Sequence, residues 1–156
     1  MINLPELNLP KQELRIQESN SQYLIWDVFR QKMISLTPEE WVRQHVLLYL
    51  VNQMAYPQAR IHVEAAIRIH KLKRRCDAIV YAPDLHPQMI IECKAPHVKI
   101  TDDTLMQIAH YNRTVQVKGL FISNGMTHYC LHRPNLTSSF EALSFIPDYA
   151  WLLSNA

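Results

Sequence analysis

Between Gln88 and Ala95 the chain reads Gln-Met-Ile-Ile-Glu-Cys-Lys-Ala, an almost continuous apolar run with two charges set into it. A short run of this kind reads as a central strand covered on both faces. Successive side chains of a strand point to opposite sides, so Glu92 and Lys94 share one face while Ile91 and Cys93 share the other. Burying two charges is costly unless they pair or bind an ion. The run therefore constrains both the layers that must cover the strand and the chemistry at one end of it.

A second carboxylate, Asp77, lies one strand earlier among apolar neighbours, in a segment read as a return strand from Arg75 to Ala82 with Asp77, Ile79 and Tyr81 on one face. Two carboxylates and a lysine converging on a sheet are the parts of a divalent-metal hydrolytic site. Each residue alone has a plainer reading. Asp77 could pair with Arg74 or Arg75, and Glu92 and Lys94 could form a same-face pair bridging to another strand.

The rest of the chain supplies the covering layers. Thr37-Pro38-Glu39-Glu40 is a helix start: Thr37 suits the N-cap, Pro38 the first turn, and Glu40 completes a capping box. The helix is expected to run to about Met54. Val42, Val46 and Leu50 follow Glu39 at spacings of three, seven and eleven, which puts Glu39 on their face. Either Glu39 or Glu40 can serve as a helix carboxylate for the site, with Glu39 preferred because capping already accounts for Glu40. Ile61 to Ile69 alternates as one strand, followed by a basic turn. A second helix capped by Thr101 or Asp102 runs to about Thr114, with Leu105, Ile108 and Ala109 as its apolar stripe and Gln107 and Tyr111 adjacent on one face. Val117–Ser123 and Thr127–Arg133 read as strands joined by a turn at Asn124-Gly125. Residues 134–146 read as loop and Pro147–Leu153 as a closing helix. Tyr23 to Leu36 fits a hairpin or a helix equally. Residues 1–20 read as a polar, poorly ordered arm, leaving 21–156 as a single domain. Helix, strands, helix, strands implies an α/β fold, a mixed sheet of about five strands flanked by helices.

Composition narrows the function. The 156 residues are 48% hydrophobic and 19% charged, as in a globular protein with a real core. No apolar run is long enough to span a bilayer, so no membrane partner is expected. Met1 to Gln12 lacks a secretion signal. The three cysteines form no C-x-x-C pair, which fits reduced thiols in a cytoplasm. With only two glycines there is no phosphate-cradling loop and so no nucleotide-driven motor. Net charge is only +2, but Arg68, His70, Lys71, Lys73, Arg74 and Arg75 are clustered, as in a phosphate-contacting patch or a solvated hairpin tip. His128, Cys130 and His132 alternate onto one strand face but are too spread for tetrahedral zinc. Cys93, opposite Glu92 and Lys94, reads as a core cysteine rather than a nucleophile.

The ordered set resembles the PD-(D/E)xK nuclease superfamily and, more narrowly, the N-terminal nuclease domain of type I restriction enzyme R subunits. The stretches that carry the resemblance are Leu36–Gln44, Lys73–Asp77, Ile91–Pro96, Gln107–Asn112 and Ser123–Gly125. Cys76 departs from the pattern, standing where the family name has proline. The resemblance implies a restriction-endonuclease-like α/β/α sandwich and a metal-dependent DNA nuclease, with restriction-modification or DNA repair as its setting. It implies Mg²⁺ or Mn²⁺ held by Asp77, Glu92, the Cys93 carbonyl and, through outer waters, Glu39. Lys94 would orient the attacking water, Gln107 would brace the site, and Arg68, Lys71, Lys73, Arg74, Arg75 and Tyr111 would meet DNA. No motor accompanies the motifs, so the expectation is a free-standing domain, with motor or specificity functions on a separate subunit and a homodimer for double-strand cutting. The rival expectation is a catalytically silent nuclease fold used for DNA binding or protein interaction.

Overall fold

The computed structural model of the protein describes residues 4–64, 66–69 and 72–155. The chain opens with a three-stranded antiparallel meander, β1 (Ile16–Ser19), β2 (Gln22–Asp27) and β3 (Lys32–Ser35). The segment 23–36 is therefore a hairpin. Helix α1 (Pro38–Asn52) follows, then β4 (Ile61–Val63), the hairpin β5 (Ala66–Ile69) and β6 (Leu72–Arg75), β7 (Ala78–Tyr81) and β8 (Pro87–Cys93). Helix α2 (Asp102–Val115), β9 (Gly119–Ser123), β10 (His128–His132), β11 (Glu141–Leu143) and α3 (Tyr149–Ser154) complete it.

The main sheet has six strands in the order β11-β10-β9-β8-β7-β4. Strands β8 and β9 are parallel and are joined through α2, as a parallel pair requires a crossover. The other described pairings in this sheet are antiparallel. One face packs on Val42, Val46, Leu47 and Leu50 of α1 and Tyr149 and Leu152 of α3, meeting Ala78, Val80, Met89, Ile91, Cys93 and Phe121 from the strands. The other packs Ile108 and Tyr111 of α2 against Ile79, Ile90, Leu120 and Ile122. Strand β8 is central and covered on both sides, and Ile91 and Cys93 share the α1 face as the alternation requires.

Helix α1 begins as its sequence dictates. Thr37 Oγ1 accepts the Glu40 N–H at 3.1 Å, and Pro38 occupies the first turn. The reciprocal half of the expected capping box is replaced, because the Glu40 carboxylate turns to Arg43, Gln44 and Arg30.

Four expectations about the elements need correction. The alternation from Ile61 to Ile69 is not one strand: it breaks at Glu64, which adopts a positive φ of 52°, so β4 and β5 fall in different sheets. The return strand breaks opposite it, at Cys76–Asp77, between β6 and β7. Ile79 and Tyr81 therefore belong to the α2 side while the Asp77 carboxylate reaches α1. Segment 134–146 contains β11, paired with β10, which brings the sheet to six strands. Ala109 is exposed on α2, whose buried face runs through Ile108 and Tyr111 instead.

The described part of the N-terminal arm, from residue 4 on, is held rather than loose. The Asn8 N–H donates to the Gly125 carbonyl at 2.8 Å, and Leu7 is buried in the α1-side core. Gly125 has φ +81°, and a Cβ there would meet Leu7 Cδ2 at 2.7 Å. Both the turn conformation and the arm's close approach thus require glycine.

Candidate active site

The paired breaks at Glu64 and Cys76–Asp77 release Asp77 from the strand pleat, and the Glu64 N–H closes the gap on the Asp77 carbonyl at 2.7 Å. The freed carboxylate lies between α1 and the end of β8. Its Oδ2 accepts the Cys93 N–H at 2.5 Å. Its Oδ1 accepts Arg43 Nε at 3.0 Å and also Arg43 Nη2.

On the other face of β8, Glu92 is buried, with its side chain 6% exposed. Glu92 Oε1 accepts Lys94 Nζ at 2.9 Å and Gln107 Nε2 at 3.3 Å. Lys94 Nζ also reaches Gln107 Oε1 at 3.4 Å, and Gln107 Nε2 donates to the Tyr111 hydroxyl at 3.0 Å. Glu92 Oε2 is buried and accepts no hydrogen bond.

The electrostatics follow from this arrangement. Burial, and then the nearby Asp77 charge, push the Glu92 carboxyl up to about 7, against the pull of Lys94. Burial lowers the Lys94 ammonium, but its hydrogen bond to Glu92 and the charges of Glu92, Glu39 and Asp77 outweigh that and hold it above its ordinary value. Lys94 is therefore a cation at neutral pH, suited to stabilising charge rather than to accepting a proton. Burial drives the Cys93 thiol well up, and it lies in the core as a neutral group.

The two helix acids left open by the sequence are separated by the structure. Glu39, with its side chain 45% exposed, accepts Arg43 Nη2 at 3.1 Å, and its charge is felt by Glu92 and Lys94. Glu40 is buried and held by Arg43, by Gln44 at 2.9 Å and by Arg30 at 3.4 Å. The structure thus brings Asp77, Glu92, Cys93, Lys94, Gln107 and Glu39 into one neighbourhood. Among the described residues, no group of three or more His, Cys, Asp or Glu side chains is placed to hold a metal ion, so Asp77 and Glu92 are a pair of acids rather than part of a larger cluster.

Tyr111, expected at a nucleic-acid contact, is 5% exposed with its hydroxyl on Gln107. It backs the site from within because the buried face of α2 runs through it. Arg75 is exposed at the end of β6. The backbones of Arg68, Lys73 and Arg74 lie in the paired strands β5 and β6, and Lys71 lies outside the described residues.

Two residues escaped the reading of the sequence. Arg43, 8% exposed, pairs with Asp77, a partner that the sequence reading did not name. Its signal was its position on α1, four residues after Glu39 and three after Glu40, both neighbouring spacings on a helix. Arg30 pairs with Asp27 at 2.8 Å, Glu40 at 3.4 Å and Glu64 at 3.1 Å. Asp27, three residues before Arg30, is the one local sign of it; Glu40 and Glu64 reach it from distant parts of the chain. Together the two arginines build an alternating ladder from Asp27 through Arg30, Glu40 and Arg43 to Asp77.

A sheet covered by helices on both faces, with acids and a lysine at the ends of two adjacent strands, defines a restriction-endonuclease-like domain. Residues 38–147 match the family model for the type I restriction enzyme R protein N terminus, and the chain belongs to that family. Among solved structures it resembles a fragment described as an HsdR subunit of a type I restriction enzyme from Vibrio vulnificus YJ016, with TM-score 0.56 and 18% identity over 77% of this chain. The chain spans 25% of that protein. It also resembles a protein from Anabaena variabilis ATCC 29413 described as a nuclease of family DUF820, with TM-score 0.50 and 10% identity over 88% of both chains. At these identities the two likenesses speak for the fold. Compared with curated protein sequences, the chain has no significant match. Among the described residues, no helix is long and apolar enough to cross a membrane.

Proposed function

We propose that this nuclease-like domain is a Mg²⁺- or Mn²⁺-dependent DNA nuclease that hydrolyses phosphodiester bonds at the Asp77–Glu92–Lys94 cluster. The observation that carries this reading is the bare, buried Oε2 of Glu92 beside the Asp77 charge. Glu92, pushed toward its neutral form first by burial and then by the Asp77 charge, is short of positive charge at its bare oxygen. A hard divalent cation supplies that charge and prefers few carboxylates with additional oxygens. The residues therefore fit such an ion, with Asp77, Glu92 and the Cys93 carbonyl as its holders and Glu39 reaching its outer waters. When bound, such an ion polarises a phosphate oxygen and acidifies a water molecule.

The chain's own groups set up the rest. Lys94 stays cationic and offsets charge developing on the phosphate while it orients the water. Gln107, held by Tyr111, keeps Glu92 and Lys94 in register. Arg68 of β5 and Lys73, Arg74 and Arg75 of β6, together with Lys71, would contact the DNA backbone. The same reading implies a partner that supplies motor or specificity functions, and a homodimer where both strands are cut.

Cleavage of linear and supercoiled DNA in Mg²⁺ or Mn²⁺ tests the proposal. Lys94→Ala is expected to lose activity by roughly 10²-fold or more, and Asp77→Ala to lose it as well. Wild-type cleavage that persists unchanged in both variants would reject the assignment. One observation favours a silent scaffold instead: Asp77 already has fixed partners in Arg43 and the Cys93 N–H. Salt-sensitive, metal-independent DNA binding with no turnover would support that second reading.

A further inference from the structure

Arg43 fills the space between α1 and β7 where three carboxylates converge. Its Nη1 donates to Glu40 Oε2, its Nη2 to Glu39 Oε1 at 3.1 Å, and its Nε and Nη2 to Asp77 Oδ1. The residue is 8% exposed, so the guanidinium is part of the packed structure rather than a surface group folded over it.

Hydrolytic sites that use two ions hold them about 3.5–4 Å apart, usually around a shared carboxylate. Asp77 is the carboxylate positioned for that role, because its two oxygens face different elements. Oδ2 faces β8, on the Cys93 N–H, while Oδ1 faces α1, toward Glu39 and Glu40. On the β8 side Glu92 leaves a buried oxygen bare. On the α1 side the acids already surround a cation that proteins do not deprotonate.

We infer that the domain takes a single divalent ion, on the β8 side of Asp77, and that Arg43 occupies the place of a second. The inference rests on the metal reading of Asp77 and Glu92 proposed above. Arg43 is then a positioning residue that sets the metal count, and Glu40 is one of the acids that hold it in place. Glu39 keeps one oxygen on the guanidinium and is left to reach the single ion only through water.

The test is a calorimetric titration of Mn²⁺ into the full chain, with paramagnetic resonance of the bound ions and no DNA present. Asp77→Asn identifies the ions that belong to the site, as opposed to scattered surface binding. Wild type is expected to bind one Asp77-dependent Mn²⁺ with an uncoupled spectrum. Arg43→Gln is expected to bind two with a spin-coupled spectrum, and adding Glu39→Gln is expected to remove the second. Two coupled ions in wild type, or an Arg43→Gln protein that still takes only one, would overturn the inference and leave the metal reading intact. No Asp77-dependent ion in wild type would overturn both. Should Arg43→Gln fail to fold, the wild-type count decides alone, and Arg43→Lys, which keeps a cation in place, is expected to remain at one.

Discussion

Asp77 and Glu92 end adjacent strands of one sheet, yet the fold treats their charges in opposite ways. Asp77 is built into a ladder of buried ion pairs, and both of its oxygens accept hydrogen bonds from fixed groups. Glu92 has a partly exposed lysine and a glutamine on one oxygen and nothing on the other. The difference begins in the backbone. The break at Cys76–Asp77 lets Asp77 turn toward α1 and its arginine, whereas Glu92, inside an unbroken central strand, must take whatever α2 presents. One acid is compensated by folding, and the other is left to be compensated by binding.

The largest effect that would break this contrast is removal of Arg43. Stripping the cation from a buried cluster takes from Asp77 the guanidinium it pairs with and leaves Glu40 to Arg30 and Gln44, a loss of roughly 3–5 kcal/mol. Lys94→Ala should cost far less, about 1 kcal/mol, because Lys94 is 22% exposed on its side chain and Glu92 can take up a proton instead. Urea denaturation of the two variants near pH 7 measures both. Equal losses would mean that the two acids are compensated alike.

The next largest effect is the pH dependence attributable to Glu92. Its folded value of about 7 stands above its ordinary one, so the folded state binds the proton more tightly than the unfolded chain. The resulting stabilisation is present in full below about pH 4.5 and disappears as pH rises through about 7. Its size is on the order of 3 kcal/mol. Glu92→Gln should therefore show a flatter stability profile between pH 4.5 and 7 than wild type in metal-free buffer. Saturating Mn²⁺ should flatten the wild-type profile too. Parallel profiles in the absence of metal would show that Glu92 is not the strained acid.

Much of this was legible in the chain. The central strand, both flanking helices, the Asn124-Gly125 turn and the opposed faces of Glu92 and Cys93 follow from periodicity and capping, because each is set by neighbouring residues. The α/β class and the mixed sheet follow from the order of those elements. The breaks at Glu64 and Asp77 do not, since alternation continues through them and a glutamate gives no warning of a positive φ. Arg43 was missed for a related reason. Spacings of three and four from Glu40 and Glu39 are common to many helix pairs, and only the displaced Asp77 makes this one a buried cluster. The arm was read as loose because its composition is polar, yet Leu7 packs beside Gly125, the Asn8 N–H bonds the Gly125 carbonyl and β1 pairs with β2.

The smallest effect is the most selective probe of the contrast. Tyr111→Phe removes one hydroxyl from a residue that is 5% exposed and leaves its ring in the core. Gln107 Nε2 loses that acceptor but keeps Glu92 Oε1, so the expected loss is about 1 kcal/mol. Because Tyr111 acts through Gln107 on Glu92, Tyr111→Phe and Glu92→Gln should be non-additive by at least ~0.5 kcal/mol. Tyr111 and Arg43 share no hydrogen-bond partner among the described contacts, so Tyr111→Phe and Arg43→Ala should add within ~0.5 kcal/mol. A buried brace also predicts unchanged DNA affinity in Tyr111→Phe, where a residue contacting DNA would lower it. Coupling to Arg43 in place of Glu92 would mean that the two acids belong to one continuous network, and the division between them would then lie elsewhere in the site.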